Sequence, residues 1–163
     1  MVEAYVALGS NVGNREANIK AALKFLEPKA KLKAVSPLYE TKPMYMEQQE
    51  WFLNATAKIE TNLTPKELLS FLKSIEQKMG RKPTQRNGPR IIDLDILFYG
   101  GQVVDEGDLQ VPHPKIAERA FVLVPLSKIA GDFVHPTIGK TIMQLLGELK
   151  YDHSEIKQRD DDK

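Results

Sequence analysis

Val2, Ala4, Val6 and Leu8 alternate with Glu3, Tyr5 and Ala7, which predicts a first strand ending at Gly9-Ser10-Asn11. A helix follows: Asn14 can cap it, Ile19, Ala22, Leu23 and Leu26 recur at helical spacing, and Pro28 stops it. Residues 32–39 predict a second strand, bent or interrupted by Pro37. Residues 52–60 alternate again, with Leu53, Ala55, Ala57 and Ile59 on one face and Phe52, Asn54, Thr56 and Lys58 on the other. Thr64-Pro65-Lys66-Glu67 reads as a capping box with proline at the first helical position, and Leu68, Leu69, Leu72, Ile75 and Met79 supply the apolar stripe of a helix ending near Gly80. Residues 91–99 are apolar and β-branched enough for another strand, with Leu94, Ile96 and Phe98 on its buried face. Val103-Val104 and residues 109–111 then predict two short paired strands, residues 115–119 a helical turn, and residues 121–124 a further short strand. A last helix carries Ile142, Leu145, Leu146 and Leu149 on one face.

The order strand, helix, two strands, helix, strand predicts an α+β fold of ferredoxin-like type, with helices on one face of a mostly antiparallel sheet. With 163 residues, 42% hydrophobic and 28% charged, one domain over residues 1–157 is expected. Residues 158–163 have no apolar side chain to anchor them and predict a disordered tail. Residues 41–50 and the stretch after Gly80 lack periodicity, so two loops are expected there, mobile until ligand closes them.

A net charge of +1 argues against binding nucleic acid through bulk charge. No cysteine is present, and the three histidines are scattered, so any metal would be held by oxygen. Glu3 stands where a signal peptide needs basic residues and no run reaches 18 apolar residues, which leads to the expectation of a cytoplasmic protein with no membrane partner.

Against this ordinary background the run Arg86-Asn87-Gly88-Pro89-Arg90-Ile91-Ile92-Asp93-Leu94-Asp95 stands out. Asp93 and Asp95 lie two residues apart on a strand, on one face and about 7 Å apart, a spacing that suits divalent cations. Five cations between Gln77 and Arg90 (Lys78, Arg81, Lys82, Arg86, Arg90), with no acid among them, immediately precede these carboxylates. Polyphosphate with Mg²⁺ fits, because the metal typically takes one or two carboxylates and completes its shell with phosphate oxygens and water. His113 sits in the rigid turn Pro112-His113-Pro114, where both phosphate contact and an ordinary loop role fit. Phe52 and Asn54 share a strand face, an aromatic plate beside an amide, which would suit a flat heteroaromatic ligand and equally suits plain sheet packing. The glycines of Gly9-Ser10-Asn11-Val12-Gly13 are accounted for by a tight turn. Other readings of these residues are an edge strand guarded by charge, an RNA-binding module using the basic loop, and a metal-dependent phosphohydrolase.

Taken together, these residues resemble the 6-hydroxymethyl-7,8-dihydropterin pyrophosphokinase family of folate biosynthesis. Its signature is a basic residue, Gly-Pro-Arg, two residues, then Asp-x-Asp and two aliphatics, and residues 86–97 satisfy it throughout. Ala7-Leu8-Gly9-Ser10-Asn11, Phe52-Leu53-Asn54-Ala55, Val111-Pro112-His113-Pro114 and Phe121-Val122-Leu123 extend the likeness over nearly the whole chain. The resemblance implies pyrophosphate transfer from ATP to the pterin hydroxymethyl group with release of AMP. It implies that Asp93 and Asp95 bind two Mg²⁺, that Arg81, Arg90, His113 and Arg119 contact ATP phosphates, and that Glu76 and Ile96 help hold the nucleoside. Thr41, Pro43, Met44, Phe52, Asn54 and Phe121 fall where the family holds pterin. Arg81, Arg90, Asp93 and Asp95 are the residues expected to carry the chemistry. The expected partners are the two small substrates, bound by a monomer. Asn87 stands where many members carry tryptophan, Lys42 and Phe52 replace a common proline and tyrosine, and Pro83 replaces a cation found in some relatives.

Overall fold

A computed structural model of the chain describes residues 1–43, 50–80 and 90–159. Two long strands set its frame. β1 (Val2–Ser10) pairs antiparallel with β4 (Phe52–Thr61) on one side and with β5 (Asp93–Tyr99) on the other. β4 in turn pairs with β2 (Ala30–Val35) and β3 (Tyr39–Thr41), and β3 with β8 (Ile156–Gln158). The result is a six-stranded antiparallel sheet in the order β5-β1-β4-β3-β8, with β2 continuing the β3 side along β4. β6 (Val104–Glu106) and β7 (Leu109–Val111) form a separate hairpin. Among the described residues no helix is long and apolar enough to cross a membrane.

The expected second strand is two strands, because Ser36-Pro37 interrupts pairing: Pro37 has no amide proton, and the Ser36 hydroxyl takes over the Thr56 amide at 2.9 Å. Helix α1 (Arg15–Leu26) starts at Asn14, whose side chain accepts from the Ala17 amide, and α2 (Pro65–Lys78) has the Thr64/Glu67 capping box read from sequence. Both pack on one sheet face, where Ile19, Ala22, Leu26, Leu68, Leu72 and Ile75 meet Val6, Leu8, Leu53, Ile59, Leu94 and Ile96.

Two expectations fail on the opposite face. Residues 121–124 are not a strand but the first turns of helix α3 (Ala120–Ala130). A short apolar run has the same composition in a strand and in a helix buried against a sheet, and Pro125 inside it disguises the helical signal. Helices therefore cover both faces. α3 and α4 (Ile142–Glu148) bury Val122, Leu123, Leu126, Ile142 and Leu145 against Tyr5, Leu97 and Phe98, a second core behind the sheet. Phe98 belongs to this core, not with Leu94 and Ile96. A bulge pairs Tyr5 with Phe98 but Val6 with Ile96, so Leu97 is an extra residue and the alternation of β5 flips beyond it.

Ordered structure also runs past the expected boundary at residue 157. Gln158 lies in β8 opposite Tyr39, and the Arg159 amide donates to the Leu38 carbonyl at 2.8 Å. Residues 160–163, the rest of the expected tail, lie outside the described residues, as do residues 44–49 and 81–89, where the two loops are expected. Lys42 helps secure this edge: its amide donates to the Glu155 carbonyl at 2.9 Å, a bond that a proline here could not make.

Candidate active site

The strand register builds the site. Gly9 on β1 lies between Asp93 on β5 and Asn54 on β4, and Ala7 lies between Asp95 and Thr56. Paired residues in antiparallel strands project to the same face, so the aspartates and Asn54 flank a middle strand that carries only hydrogen and methyl there. Two interstrand spacings separate β5 from β4, leaving a trough about 10 Å across. Asp93, Asp95, Asn54 and Phe52 are half-buried along it, while Leu94 and Ile96 are buried on the reverse face. The sequence reading of Asp93 and Asp95 as neighbours on one face is what the strand shows.

Gly9 is inside strand β1 and not in the turn expected for it; only Gly13, at φ +70°, serves the turn. A β-carbon on Gly9 would sit 2.7 Å from Asn54 Oδ1 and 3.5 Å from the Phe52 ring. The missing side chain is thus the space that the Asn54 carboxamide occupies. The other end of that amide is held by Asn54 Nδ2 donating to the hydroxyl of buried Thr41. β3 pairs Thr41 directly with Phe52, and buried Pro43 follows two residues later. A glycine within an alternating strand signals a close approach of this kind.

Glu76 approaches from α2. Its carboxylate, 5% exposed, accepts from the Leu94 amide at 2.8 Å, the peptide between the two aspartates. β5 is the outer strand of the sheet, so Glu76 satisfies an outward-facing donor and fixes the strand that presents both carboxylates. The His113 amide donates to the Leu97 carbonyl at 3.1 Å, attaching the Pro112-His113-Pro114 turn to the same strand. His113 Nδ1 accepts from the Lys115 amide at 3.2 Å, which puts the imidazole proton on Nε2. Burial, then the charges of Arg119 and Lys115, pull the His113 pKa from 6.5 down to about 4, so the ring is a neutral donor at pH 7. Arg119 opens α3, with its guanidinium 5.4 Å from the Phe121 ring. Arg90 is half-buried just before β5.

The structure thus puts Thr41, Phe52, Asn54, Asp93 and Asp95 on one sheet, with Pro43 just past β3; Glu76 and the His113 turn are hydrogen-bonded to β5, Arg90 precedes that strand, and Arg119 and Phe121 open α3. The Ile96 side chain is not among them, since it is 5% exposed in the core under α1 and α2. Arg81 and Met44 lie outside the described residues. Among those that are described, no group of three or more metal-ligating side chains occurs, so a cation at Asp93 and Asp95 would complete its shell from substrate and water. Sequence reasoning missed Asn11 and Arg15, whose bonds to Glu50, Arg90 and Trp51 no local pattern announces.

Asp93 and Asp95 thus face Phe52 and Asn54 across β1 in an antiparallel sheet with helices on both faces, an α+β architecture. The chain belongs to the 7,8-dihydro-6-hydroxymethylpterin-pyrophosphokinase family, whose profile matches residues 5–131. It is 44% identical over 151 residues, 91% of this chain and 94% of the relative, to the 2-amino-4-hydroxy-6-hydroxymethyldihydropteridine pyrophosphokinase of Methylorubrum extorquens. It is 47% identical over 134 residues to a folic acid synthesis protein of Dictyostelium discoideum, covering 82% of this chain but only 20% of that relative's length. The wild-type HPPK-DHPS of Plasmodium falciparum shares the fold with a TM-score of 0.73 at 17% identity, over 90% of this chain and 44% of that one.

Proposed function

We propose that the chain transfers pyrophosphate from ATP to the hydroxymethyl oxygen of 6-hydroxymethyl-7,8-dihydropterin and releases AMP. One observation supports this reading: the row Asp93–Gly9–Asn54 sets a carboxylate and a carboxamide on either side of a slot that Gly9 leaves free of any β1 side chain and that the Asn54 amide lines. Such a slot suits an acceptor and a polyphosphate that meet in the middle.

The pterin ring would lie between the Phe52 and Phe121 rings, with Asn54 on its hydrogen-bonding edge and Thr41, Pro43 and Met44 around it. Asn54 keeps one Nδ2 proton and its carbonyl oxygen for the ligand after bonding Thr41. Arg81, Arg90, Arg119 and the Nε2 proton of neutral His113 would contact the phosphates. Glu76 secures the β5 edge on the nucleoside side, and any contact from Ile96 would come from its backbone, since its side chain is buried on the other face. Asp93 and Asp95 fit Mg²⁺, being half-exposed oxygen donors at a two-residue spacing, and two ions are proposed. Bound there, Mg²⁺ neutralises phosphate charge and templates in-line transfer. No side chain described at the site is a strong base for the hydroxymethyl proton. Rate then comes from alignment and charge neutralisation, as in phosphoryl transfer generally.

Strands β1, β2/β3, β4 and β5 with α1 and α2 form a βαββαβ unit in the order β5-β1-β4-β2, which supports the ferredoxin-like description of this part of the fold. ATP consumption measured with and without the pterin tests the reading. Consumption that depends on pterin supports transfer, and equal consumption without it would assign a hydrolase.

A further inference from the structure

Asn11, only 3% exposed at the end of β1, divides its carboxamide between the two halves of the site. Its Oδ1 accepts from the Arg90 amide at 2.7 Å, and its own amide donates to the Arg90 carbonyl at 3.0 Å. Together these imitate a two-bond strand pairing, made half by a side chain, which fixes where Arg90 stands. Its Nδ2 donates to the Glu50 carbonyl at 3.3 Å, one peptide before Trp51 and two before Phe52. Arg15 reinforces that side alone: its Nη1 donates to the Trp51 carbonyl at 3.0 Å and pairs with Glu40 at 2.8 Å on β3. Asn11 is itself held in place, since Asn18 Nδ2 donates to Ser10 Oγ at 3.1 Å and to the Val12 carbonyl at 2.8 Å.

We infer that Asn11 is a positioning residue that sets the nucleotide side through Oδ1 and the pterin side through Nδ2. A carboxamide has an acceptor on one side and a donor on the other, as these two contacts require. An aspartate would keep the acceptor for Arg90 and place an oxygen against the Glu50 carbonyl, where a donor is needed. The inference rests on the proposed pterin and ATP sites, and it specifies how each is held.

The test compares Asn11→Asp, Asn11→Ala and Arg15→Met with wild type. Asn11→Asp and Arg15→Met should raise the pterin KM about tenfold, the loss of roughly one buried hydrogen bond, with the ATP KM within about threefold. Asn11→Ala should raise both. Amide exchange at Arg90 provides a readout independent of activity: protection is retained in Asn11→Asp and lost in Asn11→Ala. Emission from Trp51, the only tryptophan, should shift in Asn11→Asp and Arg15→Met. If Asn11→Asp leaves the pterin KM unchanged, or raises both KM values equally while Arg90 exchanges freely, the division of roles is wrong. Should wild type show no pterin-dependent turnover, the functional reading fails, and the Arg90 exchange pattern still decides whether Asn11 holds that strand end.

Discussion

Replacing Gly9 with alanine probes the slot at its narrowest point. The new methyl carbon would lie 2.7 Å from Asn54 Oδ1, where an ordinary contact begins near 3.4 Å, so the carboxamide must retreat by about 0.7 Å. Thr41 is buried behind the amide, which restricts where it can go. The strand backbone itself accepts alanine: Gly9 lies in regular β1 pairing, and loss of glycine's unfolded-state freedom would stabilise the fold by about 0.4–1 kcal/mol. The cost therefore falls on ligand recognition. A displaced amide loses one or two hydrogen bonds to the ring, about 1–3 kcal/mol, which corresponds to roughly a 5- to 150-fold rise in the pterin KM. Asp93 lies on the other side of Gly9, so the ATP KM should move less than about threefold. Steady-state kinetics with each substrate varied at saturating levels of the other would measure both. In the double variant Gly9→Ala/Asn54→Ala the clash has no partner, and the two losses should not add. An unchanged pterin KM in Gly9→Ala, or additive losses in the double variant, would refute the steric account.

Asp95→Ala should lower kcat by about a thousandfold or more through loss of one proposed metal ligand, while the half-exposed position keeps thermal unfolding within a few degrees of wild type. Glu76→Ala should destabilise the fold by about 1–3 kcal/mol, because the Leu94 amide is left buried without its acceptor, and Glu76→Gln should restore most of that in denaturant titrations. His113 lowers acid stability. Its pKa is held at about 4 in the fold against 6.5 ordinarily, so the unfolded chain binds the proton first. Stability should be flat above pH 6.5 and fall as the pH drops toward 4, and His113→Gln should flatten that slope in unfolding measured across the range.

The parts of the fold that speak locally were legible. Alternation located β1 and β4, an apolar and β-branched run located β5, the Thr64/Glu67 box located α2, and the Asp93-Leu94-Asp95 triplet placed two carboxylates on one face. What escaped depends on contacts distant in sequence. Helix α3 is apolar nearly all round because it is sandwiched, which removes the periodicity that marks a helix. β8 is three residues long and exists through pairing with β3 more than a hundred positions earlier. The bulge at Leu97 inserts one residue into one strand only, invisible in an apolar run where both faces are buried. At the site, Phe52 and Asn54 were readable as a pair, but the reason for Gly9 lies across the strand in Asn54, and that of Asn11 lies in Glu50 and Arg90.

The most direct test is to incubate the protein with ATP, Mg²⁺ and 6-hydroxymethyl-7,8-dihydropterin and to separate the products by chromatography. The account predicts AMP and a pterin carrying two added phosphates, in equal amounts and only when all three components are present. ADP with a singly phosphorylated pterin, or nucleotide products that form without pterin, would contradict it.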